Sequence, residues 1–176
     1  GKHDAPSLLV PMEAVFEAYV AKHLTKQLHA NFDLKTQATS QYLVEHEGQQ
    51  WFRLKPDLLV KQNQTTRLVL DTKWKLLDAA KKSGREKYQL SQADFYQLYA
   101  YGQHYLDGTG DVVLIYPKTD AFTKPLSVFD FPQALGMRLW VLPFCLDDRQ
   151  LLWPADSDFS RFFCSGAVET AQEHVA

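Results

Sequence analysis

WFRLKPDLLV at Trp51–Val60 and RLVLDTKWK at Arg67–Lys75 are two strand-forming runs separated only by the polar loop Lys61–Thr66. So short a connection implies an antiparallel pair. Leu68, Val69 and Leu70 leave no polar face, which marks the second run as a strand buried on both sides. On the N-terminal side, TSQYLVE at Thr39–Glu45 alternates Tyr42 and Val44 with polar neighbours, and Gly48 then offers a turn. The three runs together predict a meander. Further back, Met12, Val15, Phe16, Tyr19, Val20, Leu24 and Leu28 fall on one helical face, with Pro11 suited to the first turn.

On the C-terminal side, DAAKKSGREK at Asp78–Lys87 is polar, basic and broken by Gly84, which predicts a solvated loop. Ser91 is placed to cap a tyrosine-rich helix from about Gln92 to Leu106, which Gly108 and Gly110 stop. VVLIY at Val112–Tyr116 follows, and reaching an apolar strand through a helix predicts a crossover to a parallel neighbour. Leu126–Phe131 and Arg138–Leu146 extend the sheet, the latter at an edge or bulge because of Pro143. The tail from Gly166, GAVETAQEHVA, is expected to fray. The fold class is α/β: a mixed sheet with helices on its faces, in the core order helix-strand-strand-strand-helix-strand, with two extra C-terminal strands. A single domain is expected over residues 1–176.

Composition narrows the classes. With 45% hydrophobic residues, the chain can close a core. No apolar run reaches bilayer-spanning length and the start, GKHD, lacks the features of a signal peptide, so a cytoplasmic location is expected. Cys145 and Cys164 stand in no metal-ligand spacing and are expected as buried, reduced thiols. His23, His29, His46 and His104 form no close pair, which argues against zinc. No G-x-x-x-x-G-K-[ST] phosphate loop is present, so the chain is not itself a nucleotide-driven motor. Trp51, Trp74, Trp140 and Trp153 are expected in the core or at interfaces.

Asp71 and Lys73 lie two apart on one strand, so both side chains leave the same face. Antiparallel pairing brings Asp57, after Pro56 near the middle of the preceding strand, beside Asp71. Two adjacent carboxylates repel, and a divalent cation is the usual resolution; an all-oxygen set suits Mg2+ or Mn2+. Lys73 is then placed to orient or help deprotonate a water, or to neutralise charge on a phosphate. Asp-x-Lys alone is common, and its position at the end of a doubly buried strand is what singles it out, because burial there is costly. Gln97 and Tyr101 share a helical face with Asp94 one turn earlier. Their plainer readings are a solvated glutamine and a core aromatic; for Glu17, a rim carboxylate; for Lys81, Lys82, Arg85 and Lys87, a solvated loop that could also touch phosphates.

Taken together, Pro56-Asp57, Asp71-Thr72-Lys73 and Gln97-x-x-x-Tyr101 resemble the PD-(D/E)xK nuclease superfamily, in its branch with a Q-x-x-x-Y helix. PMEAVFEAYV at Pro11–Val20, LKPDLLV at Leu54–Val60, LDTKWK at Leu70–Lys75 and ADFYQLYAYG at Ala93–Gly102 resemble the nuclease domain of McrC, the cleavage subunit of modification-dependent McrBC-type restriction systems. The resemblance covers roughly Pro11–Pro117. It implies a restriction-endonuclease-like sheet and Mg2+-dependent (or Mn2+-dependent) hydrolysis of phosphodiester bonds in double-stranded DNA. Asp57, Asp71 and Lys73 would be catalytic, Asp57, Asp71 and Glu17 metal-binding, and Gln97, Tyr101 and Lys75 would contact the nucleic acid or support the site. It also implies an AAA+ GTPase partner of McrB type. The net charge of -2 fits a nuclease that borrows its grip on DNA. The chain is expected to be excised from a longer protein, with Gly1 a tag remnant. A stand-alone RecB-like repair nuclease and a catalytically inert nuclease-fold interaction module are the alternatives.

Overall fold

The helical spacing of Phe16, Val20 and Leu24 is realised in α1 (Met12–Gln27), whose buried stripe these residues form. The computed structural model describes residues 11–170. Two strands follow, β1 (Asp33–Thr36) and β2 (Gln41–His46), then β3 (Gln49–Leu54), β4 (Leu58–Gln62) and β5 (Thr65–Thr72). After α2 (Gln92–Tyr105) come β6 (Gly110–Pro117), β7 (Phe129–Asp130) and β8 (Met137–Cys145). Three short pieces, β9 (Gln150–Leu151), β10 (Trp153–Pro154) and β11 (Ala167–Val168), close the chain. Among the described residues, no helix is long and apolar enough to cross a membrane.

The main sheet runs β1-β4-β5-β6-β8-β7, with β9 on β8. β4 and β5 are antiparallel, while β5, β6 and β8 are parallel, so α2 is the expected crossover between β5 and β6. The apolar run divides by the period of two. Leu58, Val60, Leu68 and Leu70 pack with α1 on one face, whereas Leu59 and Val69 join Leu98 and Tyr101 of α2 on the other. Each such side chain contributes about 1.5–3 kcal/mol by leaving water, which is why two opposed helices are needed to hold this sheet. Gly102 marks the closest approach of α2, since a Cβ there would stand 2.2 Å from Met137 Sδ.

Several expectations are corrected. WFRLKPDLLV is not one strand: Pro56, with no N–H to give, separates β3 from β4, and Asp57 lies at the break rather than mid-strand. The meander is therefore absent. β2 and β3 form a separate hairpin with a turn at Glu47 and Gly48, both at positive φ, and mostly exposed side chains. The first strand of the core order is instead β1, pairing β4. Its four residues, DLKT, are mostly exposed and too short and polar to show alternation. β8 is not an edge: β6 pairs along it, while β7 and β9 share its other side, and Pro143 falls between them with its carbonyl accepting from Leu152 N–H at 3.0 Å. The strand expected at Leu126–Phe131 shrinks to β7. The tail does not fray from Gly166, because β11 pairs in parallel with β10 and Trp153 N–H bonds Gly166 O at 3.0 Å; residues 171–176 lie outside the described residues. Cys145 is buried but Cys164 is exposed. Trp140 and Trp153 are core residues, whereas Trp51 and Trp74 are exposed.

Candidate active site

The break at Pro56 and the end of β5 meet at one rim of the sheet. Register pairs Leu58 with Leu70, so the next residues outward, Asp57 and Asp71, face each other across the strands. Asp57 N–H donates to Asp71 Oδ1 at 3.4 Å, and Thr72 donates both its N–H and its hydroxyl to Asp57 Oδ2, each at 2.8 Å. Lys73 N–H bonds Ile115 O at 2.9 Å, which carries the ladder one residue past β5 and fixes the lysine's starting point.

The Lys73 ammonium has three acceptors: Asp71 Oδ2 at 2.8 Å, Gln97 Oε1 at 3.0 Å and Asp94 Oδ1 at 3.4 Å. Two come from the first turns of α2. The same face of the helix carries Tyr101 one turn beyond Gln97, where its ring enters the core and its hydroxyl donates to Lys55 O at 3.2 Å; one turn on, Tyr105 donates to Leu54 O at 2.7 Å. These hydroxyls pin the Leu54–Asp57 segment that delivers the carboxylate. An open cleft of about 350 Å³ results, lined among others by Glu17, Asp57, Asp71, Lys73, Lys75 and Gln97.

Charge in the cleft is unbalanced. Asp71 is only 3% exposed, and burial, reinforced by the charge of Asp57 and partly countered by Lys73, pushes its pKa up to about 6. Burial and then Asp57 also raise Glu17. At Lys73, burial alone would favour the neutral amine, but Asp71 and Asp94 overcome it and the pKa is raised. The pair is asymmetric because Lys73 is partly exposed and has three oxygen partners, whereas Asp71 is nearly sealed. Burial, then the charges of Asp71 and Asp57, keep the Tyr101 hydroxyl protonated as a donor.

The structure thus brings together Asp57, Asp71, Lys73, Glu17, Gln97, Tyr101 and Lys75. Sequence reasoning missed Asp94 as a partner of Lys73, Thr72 as the clamp on Asp57, and Tyr105. Asp94 alone had a visible signal, its helical spacing from Gln97. Among the described residues, no three His, Cys, Asp or Glu side chains are gathered into a ready metal cage.

A family profile described as McrBC 5-methylcytosine restriction system component matches residues 1–117. The chain belongs to this family. Every cleft residue of this McrBC-family chain lies inside the matched span, which ends with β6. One similar solved chain is in the half-complex from the tetradecameric assembly of Thermococcus gammatolerans McrB AAA+ hexamers with bound McrC. The TM-score is 0.59 at 18% identity, over 88% of this chain and 33% of that one, so the likeness is of fold and this chain spans about a third of that length. No curated protein matches.

Proposed function

We propose that this McrBC-family chain is a Mg2+- or Mn2+-dependent endodeoxyribonuclease domain of PD-(D/E)xK type, hydrolysing phosphodiester bonds in double-stranded DNA. The observation that carries this reading is the convergence of Asp57, Asp71 and Lys73 on one open cleft. A buried carboxylate pushed up to about 6 beside a second carboxylate is a site whose charge is unresolved, and its oxygen donors fit a hard divalent cation. Asp57 and Asp71 would hold the ion, and Glu17 would reach it through water. Two protein carboxylates leave the remaining positions to water and substrate, as Mg2+ prefers. When bound, the cation supplies Lewis-acid polarisation of the phosphate and a more acidic water.

Lys73 does the rest of the electrostatic work. Held charged by Asp71, Asp94 and Gln97, it orients the attacking water or offers a proton to a phosphate oxygen as negative charge builds there. Water attacks phosphorus and gives up a proton to solvent, the P–O bond to the leaving sugar breaks, and the sugar oxygen takes up a proton from solvent. Tyr101 acts at one remove, keeping Lys55-Pro56-Asp57 in place through its hydroxyl.

The chain would serve as the cleavage subunit of a cytoplasmic complex driven by an AAA+ GTPase of McrB type. Support comes from its family, from its lack of a phosphate loop, and from a net charge of -2 that leaves little unaided grip on a polyanion. The test is cleavage of supercoiled plasmid in Mn2+ by the wild type and by a Lys73→Ala variant that circular dichroism shows to be folded. The wild type is expected to cut and the variant to lose about hundredfold or more. Equal cutting by both would refute the assignment of the centre. A wild type that stays silent even with its AAA+ partner and GTP would refute the nuclease reading itself.

A further inference from the structure

Beside the cleft lies a second hollow of about 460 Å³, between the loop after Asp78 and the first turns of α2. Its floor is aromatic. The Phe129 ring stands 5.2 Å from Phe95 and 6.4 Å from Tyr88, edge-on to both. Its rim is cationic: Lys82 and Lys87 line it, and their segment, KKSGREK, carries four basic residues against one acid. That acid, Glu86, accepts from Ser83 Oγ at 2.9 Å, and among the described residues no carboxylate lines the hollow.

The loop is built rather than slack. Lys87 N–H bonds Ser83 O at 2.8 Å and Tyr88 N–H bonds Lys81 O at 2.6 Å. Lys87, Tyr88 and Gln89 are three successive non-glycine residues at φ 48°, 54° and 65°. Such left-handed runs persist only where the surroundings enforce them, and they cluster at ligand clamps. Here the run places Tyr88 against Phe129 and leaves Lys87 exposed. It also ties the hollow to the cleft: the Lys75 ammonium, which lines the cleft, donates to Gln89 O. Gln92 and Phe95 line the hollow while Asp94 and Gln97 line the cleft, so both open from the same two turns of α2.

We propose that this hollow is a nucleotide subsite, taking one unstacked base of a DNA strand against Tyr88, Phe95 and Phe129 while Lys82 and Lys87 hold the flanking phosphates. The proposal rests on the nuclease reading and says how a chain of net negative charge engages a strand next to its cleft. Aromatic faces stack any base, and paired cations neutralise phosphates without reading sequence. The subsite therefore grips the strand and carries no base specificity.

The test is anisotropy of a fluorescein-labelled single strand, and of its duplex, titrated with the whole chain in EDTA so that nothing is cut. Lys82→Glu/Lys87→Glu is expected to weaken both about tenfold or more, and to lower the single-strand salt slope by about 1.4, the value for two phosphates. Tyr88→Ala should weaken the single strand about tenfold and the duplex much less. Variants that bind as the wild type does, or a Tyr88→Ala loss equal on both probes, would overturn the subsite. If Tyr88→Ala does not fold, a 2-aminopurine strand with the wild type decides, since stacking quenches it and unchanged emission overturns the proposal. Mn2+ cleavage separates the two readings. Wild-type cutting that keeps its concentration dependence in the lysine double variant sinks the subsite alone; a wild type that neither binds nor cuts sinks both.

Discussion

Asp71 is held in a place that favours its protonated form. Burial and then the neighbouring Asp57 raise its pKa from 3.8 to about 6, so the folded chain binds this proton more tightly than the unfolded chain does. Stability from this group is thus fully present below about pH 4, is lost as pH rises through about 6, and stays lost above it. At about 1.4 kcal/mol per pKa unit, the deficit at neutral pH is on the order of 2–3 kcal/mol. Asp71→Asn is accordingly expected to raise the thermal midpoint at pH 7.5 by several degrees and to flatten its pH dependence, while abolishing Mn2+-dependent cleavage. Lys73 keeps Asp94 and Gln97 in that variant. A midpoint at or below the wild type's would show that the Lys73 pair outweighs the burial cost. The carboxylates and the lysine were legible in the sequence because the period of two and a short connection decide which side chains meet. For Asp94 the helical face was legible but the partner was not, because nothing in a sequence says that an acid on a helix will meet an ammonium arriving from a strand.

For α2, the deciding position is Gly102, which lies against Met137 of β8 and Val112 of β6. Ordinarily alanine would improve a helix interior by about 1 kcal/mol. A Cβ 2.2 Å from Met137 Sδ instead forces the thioether or the helix to move. Gly102→Ala is therefore expected to destabilise by about 1–3 kcal/mol in chemical denaturation, because overpacking exceeds the propensity gain. No loss would mean that Met137 swings aside freely. Elements with strong periodicity, α1, β5, α2 and β6, were readable because each buries a whole face or both. β1 was unreadable since it is short and mostly exposed, and its strand identity comes from pairing with β4 rather than from its own residues. Pro56 was visible, yet its effect is tertiary: the chain leaves the hairpin there and enters the sheet, and that turn is what sets Asp57 at the rim.

The whole domain converges on that rim. Glu17 comes from the layer of α1, Asp57 and Asp71 from the sheet between the layers, and Asp94, Gln97 and Tyr101 from the layer of α2. A ligand that relieves the charge there favours the assembled state of all three layers, so its binding energy adds to the stability of the fold. Mn2+ at about a hundredfold over its dissociation constant should therefore contribute about 2.7 kcal/mol and raise the thermal midpoint by several degrees at pH 7.5. The gain should shrink as pH falls below about 6, where a proton on Asp71 competes for the same oxygens. Asp57→Asn should lose most of it. Asp71→Asn, already relieved of its charge, should start higher and respond little. Differential scanning fluorimetry with and without Mn2+ across pH separates the cases. If the wild type were indifferent to the ion while Asp71→Asn gained stability, the strain at the rim would be one that a proton relieves and a metal does not, and the cation-dependent mechanism would fall.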